Sequence, residues 1–201
     1  MNIAVTGSIG SGKSVVAREL GVRLAALYCD ADQLCRELLE KDAPGWQQFV
    51  LRWQDRYLDA DGNIDRTALR LKIFADDGMR RQLENILHPL VRGRLQELMG
   101  QSRRRGKHLV AEIPLLFETG WQHQFDRVVT VYAEPEVCIR RVMARDGVSS
   151  RQARQALDAQ MNIEKKVNKA DYVVDNSETM EKTLLQVEAL SRDLKGWRHQ
   201  G

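Results

Sequence analysis

Gly7-Ser8-Ile9-Gly10-Ser11-Gly12-Lys13-Ser14 has the spacing G-x-x-x-x-G-K-S/T, that of a loop built to hold phosphate groups. The chemistry follows from the residue types. Glycines let the backbone turn its N–H groups inward without Cβ clashes. Those N–H groups and the N-terminus of a following helix together form an anion site. Lys13 adds a mobile positive charge for the β- and γ-phosphates, and the Ser14 hydroxyl is a candidate ligand for Mg²⁺. Gly10, Ser11, Gly12, Lys13, Ser14 and Val15 are therefore the expected nucleotide contacts, and the expected ligand is a nucleoside triphosphate.

The elements that must position this loop lie on either side of it. Asn2 to Thr6 is a short β-type run, and Val15 to Leu20 continues as an amphipathic helix. Strand, Gly-rich loop and helix form the context that the motif needs. Further apolar runs read as buried strands at Ala26 to Cys29, Leu109 to Ile113, Val128 to Tyr132 and Tyr172 to Val174. Helical patterns cover Lys13 to Leu24, Asp32 to Glu40, Pro135 to Arg145, Ser150 to Met161 and Glu178 to Leu194. Short apolar strands alternating with helices indicate a parallel α/β sheet.

The interval from Asp42 to Arg105 breaks that rhythm. Trp46, Phe49, Val50 and Trp53 recur at helical spacing, then Leu83, Ile86, Leu87, Leu90, Val91, Leu95 and Leu98. It is far longer than the connections of roughly 2–6 residues usual in α/β units. It reads as an inserted helical subdomain. Insertions in open α/β folds flank the crevice at the strand C-termini, which points to substrate binding.

A second set of reactive groups is Asp30 and Asp32, at the end of the second strand. That end lies on the same rim as the phosphate loop, where an acceptor would sit. A carboxylate there could hold Mg²⁺ or orient the acceptor hydroxyl. A carboxyl with pKa about 4 is a weak base for an alcohol. Phosphoryl transfer through a loose transition state needs little early deprotonation, so orienting the hydroxyl and taking its proton late suffices. Asp32 is also placed to cap the helix Gln33 to Leu38. On the helix after the fourth strand, Arg141 and Arg145 share a face, and Arg151 and Arg154 follow. Arg forks suit charge developing on phosphoryl oxygens. The Gly147 break fits a lid that excludes water.

Composition limits the alternatives. Hydrophobic residues are 43% and charged residues 29%, the balance of a soluble globular protein. No apolar run approaches the roughly 18 residues of a membrane span, and no basic leader precedes the first strand. Cys29, Cys35 and Cys138 are scattered and odd in number, which reads as reduced thiols in the cytosol. A net charge of +3 is mild for a nucleic-acid binder. The basic run Arg103 to His108 reads as a solvated helix end and turn. Asp59-Ala60-Asp61-Gly62-Asn63 imitates a calcium loop but lacks Gly and Glu at the required positions. It reads as a turn, with Asp65 capping the helix from Arg66.

Over essentially its full length the chain resembles the dephospho-coenzyme A kinases. The resemblance rests on Val5 through Ser14, Asp30-Ala31-Asp32, Leu87-His88-Pro89-Leu90, Ile113-Pro114-Leu115-Leu116-Phe117-Glu118, Arg141 through Asp146, and Ala170 through Asn176. It implies ATP-dependent phosphorylation of the 3′-hydroxyl of dephospho-coenzyme A, the final step of coenzyme A biosynthesis, with Mg²⁺. The implied fold is α/β, a three-layer P-loop kinase with a parallel sheet, an inserted helical substrate subdomain and a helical lid. The core would be residues 1–41, 106–140 and 168–201, the insert 42–105 and the lid 141–167. The resemblance places catalysis on Asp32, Lys13 and Arg141, nucleotide contact also on Arg145, and substrate contact on Asp32, His88 and Pro89. His88 has a structural alternative, a packed histidine at a helix start with Pro89 in the first turn. The chain departs from the family at Ser8, where Gly is expected, at Val15 for Thr, and at Glu112 for Asp.

The expected partners are dephospho-coenzyme A and ATP, with no nucleic acid and no membrane. The chain is expected to be cytoplasmic, as a monomer or weak homo-oligomer. Another nucleoside monophosphate-type kinase is the alternative enzyme. A GTP switch would use Asn168-Lys169-Ala170-Asp171, but that run precedes its strand where a guanine-reading loop should follow one.

Overall fold

The computed structural model describes residues 1–196, apart from the side chain of Phe74. The expected core segment 168–201 thus ends, at 197–201, outside the described residues. The chain divides into two compact units, Met1–Asp30 with the chain from Met99 onward, and Ala31–Leu98.

The first unit is built on five parallel strands, β1 (Asn2–Gly7), β2 (Leu27–Asp30), β3 (Leu109–Glu112), β4 (Arg127–Tyr132) and β5 (Tyr172–Asp175). Their order across the sheet is β2-β3-β1-β4-β5. The inner strands β1 and β3 are almost wholly buried, which explains their unbroken apolar reading. Alternate residues face opposite ways. Ile3, Val5, Val110, Val129, Val131 and Val174 join a core with Val16, Ala17 and Leu20 of α1 (Lys13–Arg23) and Val187, Leu190 and Leu194 of α9 (Met180–Gly196). On the opposite face, Thr130 donates through Oγ1 to the Lys166 carbonyl, 3.3 Å away, in α8 (Ile163–Val167). Sheet and flanking helices thus form three layers. Between β4 and α8 come α6 (Pro135–Asp146) and α7 (Ser150–Asp158). Ile139, Val142 and Ala153 pack these two against each other. Gly147, at φ 66°, ends α6, and Ser149 with Gln152 forms a reciprocal capping box that starts α7.

The second unit begins with α2 (Ala31–Leu38), α3 (Pro44–Trp53) and α4 (Arg66–Ala75), and runs into the long α5 (Asp77–Arg104). Phe49, Ile64, Leu69, Met79, Leu83 and Leu87 form its own core. Asp65 caps α4 as expected, its Oδ1 accepting from the N–H groups of Thr67 and Ala68 at 3.0 Å. Asp59 accepts from Asp61 N–H at 3.0 Å and Asn63 N–H at 2.8 Å. Its oxygens therefore serve the turn, which the antiparallel bridge Leu58–Ile64 closes.

One expectation and one alternative about helix starts are corrected here. Asp32 lies inside the first turn of α2 and does not cap it. His88 and Pro89 are not a helix start but lie inside the 28-residue α5. Pro89 removes one helix hydrogen bond. Buried Leu83, Leu87, Val91 and Leu95, spaced by four residues, carry the helix across that gap. The basic run behaves as read: α5 stops at Arg104 and Gly106 turns the chain at φ 60°.

Candidate active site

The phosphate loop joins β1 to α1. Gly10 and Gly12 hold φ of 78° and 85°, a region costly for any residue with a Cβ. Gly12 is the last residue before α1, and no side chain caps the helix. The first turn of α1 also contains no acidic residue. Its N-terminal N–H groups therefore present an anion site. Lys13 Nζ lies 3.5 Å from the Ser8 carbonyl, so its charge sits over the loop. Ser8 is buried and is not among the positive-φ residues, so a Cβ is accommodated where the family pattern has Gly. Val15 is 43% exposed on the first turn.

Parts of the chain far away in sequence hold the loop. A Cβ on Gly10 would meet the Cys138 carbonyl at 2.6 Å, so α6 packs directly on the loop. Asn176, just past β5, donates through Nδ2 to the Ser11 carbonyl at 2.7 Å, and its Oδ1 accepts from Thr183 Oγ1 at 2.8 Å. Asn176 is 2% exposed, so both bonds are shielded from water. Asn176→Ala would leave the buried Ser11 carbonyl without its donor, whereas Thr183 Oγ1 keeps the Thr179 carbonyl at 3.3 Å. We expect it to lose about 2 kcal/mol of stability and to weaken nucleotide binding, read by urea unfolding and ADP titration.

The arginines occupy different settings. Arg141 Nη1 reaches to 3.5 Å from the Gly10 carbonyl, beside the loop. Arg145 instead forms a bidentate pair with Asp146, at 2.7 and 2.8 Å. That hydrogen bonding raises the Arg145 pKa above its ordinary value. Arg154 pairs with Glu136 at 2.7 Å. In this conformation Arg141 alone of the three contacts the loop among the described interactions.

Three residues that sequence reading did not assign connect the end of α7 to this centre. Gln160 Oε1 accepts from the Ile9 N–H of the loop at 2.7 Å. Glu118 Oε1 accepts from Met161 N–H at 2.9 Å and from Lys166 Nζ at 2.9 Å. Lys166 is fully buried and also donates to the Pro114 carbonyl at 2.8 Å. Such a pair is costly to break from one side. Glu118→Ala leaves a buried ammonium and is expected to cost about 3 kcal/mol. Lys166→Met, which removes the buried charge, should cost clearly less because Glu118 remains partly in water. Paired urea unfolding curves check the order.

Ser14 Oγ donates to Glu112 Oε1 at 2.6 Å, and Tyr28 OH donates to Glu112 Oε2 at 2.8 Å. Glu112 is 3% exposed at the end of β3. Burial, together with the Glu112 carboxylate, pushes the Tyr28 pKa up to about 12, against the opposing pull of Arg18. A hydroxyl and a carboxylate on adjacent elements are hard oxygen donors, and this set fits Mg²⁺. With its O–H donated in a hydrogen bond to Glu112, Ser14 turns its lone pairs away from the carboxylate, where a cation could use them.

In the second unit, Asp32 is exposed in the first turn of α2, and His88 is half-buried beside exposed Pro89 in α5. The Asn168-Lys169-Ala170-Asp171 run has structural roles. Asn168 ends α8, and Asp171 Oδ2 accepts from Val128 N–H at 2.7 Å, tying β5 to β4. The three cysteines are free thiols. Among the described residues, no helix is long and apolar enough to cross a membrane.

Comparison with known proteins bears on the whole of this arrangement. A family model described as dephospho-CoA kinase matches residues 1–182. A dephospho-CoA kinase of Desulfotalea psychrophila is 38% identical over 187 residues, covering 93% of this chain and 94% of the relative. Among solved structures, a Thermus thermophilus protein superposes with a TM-score of 0.80 at 33% identity, covering 98% of each chain. The dephospho-CoA kinase of Campylobacter jejuni superposes with a TM-score of 0.71 at 28% identity, covering 96% of each chain. Since the matched span takes in the phosphate loop, the helical stretch and the Asn176 anchor, the chain belongs to the dephospho-CoA kinase family.

Proposed function

We propose that this chain transfers the γ-phosphoryl group of ATP to the 3′-hydroxyl of dephospho-coenzyme A, giving coenzyme A and ADP. The observation that carries the reading is the family match over residues 1–182, on a chain whose phosphate loop is intact. The nucleoside monophosphate kinase and GTP-switch alternatives are not favoured by it. The reaction is the final step of coenzyme A biosynthesis.

Lys13 and the N–H groups of residues 10–15 hold the triphosphate, with positive charge facing the oxygens that gain charge in transfer. Arg141, already beside Gly10, adds a guanidinium to the same region. Asp32 orients the acceptor hydroxyl and takes its proton late. Ser14, with Glu112 behind it, would hold Mg²⁺, which would supply neutralisation of the charge on the phosphoryl oxygens. His88 and Pro89 contribute to acceptor binding in the helical insert 42–105. Residues 141–167 act as the lid over the core 1–41, 106–140 and 168–201, and Arg145 reaches the nucleotide by exchanging Asp146 for phosphate. The enzyme works in the cytoplasm, as a monomer or weak homo-oligomer.

A coupled ADP-release assay with ATP, Mg²⁺ and dephospho-coenzyme A, with the product weighed by mass spectrometry, tests this. Acceptor-dependent ADP and a product heavier by one phosphoryl group are expected. ATP binding without acceptor-dependent turnover overturns the reading.

A further inference from the structure

Four side chains form one connected line at the edge of the phosphate site. Ser14 and Arg18 stand one turn apart on α1 and share a face. Tyr28 lies on β2 and Glu112 on the neighbouring β3. Residue 112 pairs in register with Asp30, so Tyr28 is its diagonal neighbour on the same sheet face. That separation is within reach of an aromatic side chain. The face is the one that Val110 turns toward α1. The line thus runs from Ser14 through Glu112 to Tyr28, and the Arg18 guanidinium lies 5.8 Å from the Tyr28 ring centre.

Among the described hydrogen bonds each Glu112 oxygen accepts one. Oε1 accepts from Ser14 Oγ, which decides where the Ser14 lone pairs point. Oε2 accepts from Tyr28 OH. Glutamate has one more rotatable bond than the aspartate of the family pattern. A hydrogen bond donated to a charged carboxylate is among the stronger ones, and the bond from Tyr28 holds that extra torsion in one rotamer.

We propose that Tyr28 is a positioning residue for the Mg²⁺ side of the phosphate site, acting through Glu112 on the Ser14 hydroxyl. It touches neither nucleotide nor acceptor. The inference rests on the kinase reading only in taking Mg²⁺ and a nucleotide as occupants of the loop.

The test is calorimetric titration of ADP without acceptor over a range of Mg²⁺ concentrations. Loss of an outer-shell partner commonly costs 10–100-fold in metal affinity or activity. Tyr28→Phe should therefore raise the Mg²⁺ concentration for half-maximal enhancement of ADP affinity about tenfold. ADP affinity without Mg²⁺ should not change. Adding Tyr28→Phe to Glu112→Gln should move the midpoint no further. An unmoved midpoint in Tyr28→Phe, with or without a lower melting temperature, makes Tyr28 a packing residue and overturns the proposal. So does an equal tenfold shift in the Glu112→Gln background. Normal Mg²⁺-enhanced ADP binding by the parent, with no coenzyme A formed, overturns the function and leaves the Tyr28 result standing.

Discussion

Lys13→Ala is expected to lower kcat/KM for ATP by about a thousandfold, the scale reported for removing one preorganised charge-stabilising donor. Lys13 follows Gly12 directly and starts α1, so its ammonium is fixed to the rim where the β- and γ-phosphates would bind. In the proposed reading ground-state binding and transition-state stabilisation would both use that charge, so KM should rise and kcat fall together. The fold should survive. Lys13 is only partly buried and belongs to no hydrophobic cluster of the first unit. Circular dichroism and ADP titration separate the two effects. A variant that binds ATP and turns over like the parent would remove Lys13 from the site.

The second large effect is Asp32→Ala. Positioned proton acceptors contribute roughly 10²–10⁴-fold, and a fall in kcat of about a thousandfold is expected. ATP affinity should hardly change, because in the proposed reading the carboxylate acts on the acceptor. Asp32 is exposed in the first turn of α2, so loss of a favourable dipole contact there should cost at most about 1 kcal/mol. Steady-state kinetics with each substrate varied in turn checks this. A kcat within a few-fold of the parent would exclude Asp32 from the mechanism. Asp32→Asn is a useful companion, since it keeps the size and one acceptor oxygen of the side chain but not its charge or basicity.

The two units differ in how clearly their sequences announced them. The strands could be read because a parallel sheet covered on both faces demands unbroken apolar runs, and β1 and β3 meet that demand. The helix after β4 ends where Gly147 adopts φ 66°, the signal that a C-terminal glycine gives. Pro89 misled for a physical reason. Proline marks a boundary through a local clash and a missing N–H, but apolar residues at four-residue spacing on either side keep α5 continuous. Asp32 misled by two positions: it had the right residue type for a cap, but α2 starts at Ala31, so the capping position is residue 30.

By itself the sequence determined the chemistry of the phosphate loop. Glycine conformations, a lysine and a hydroxyl at fixed spacing are local properties, and they survive into the fold unchanged. It also determined the family, through motifs whose order needs no geometry. Only the tertiary structure decided what holds that chemistry in place. Asn176 meets Ser11 across 165 positions, Gln160 meets Ile9 across 151, and Ser14 meets Glu112 across 98. No periodicity connects such residues. The strand order β2-β3-β1-β4-β5 brings them together, and the burial of Asn176 and Glu112 makes their bonds costly to leave unmade.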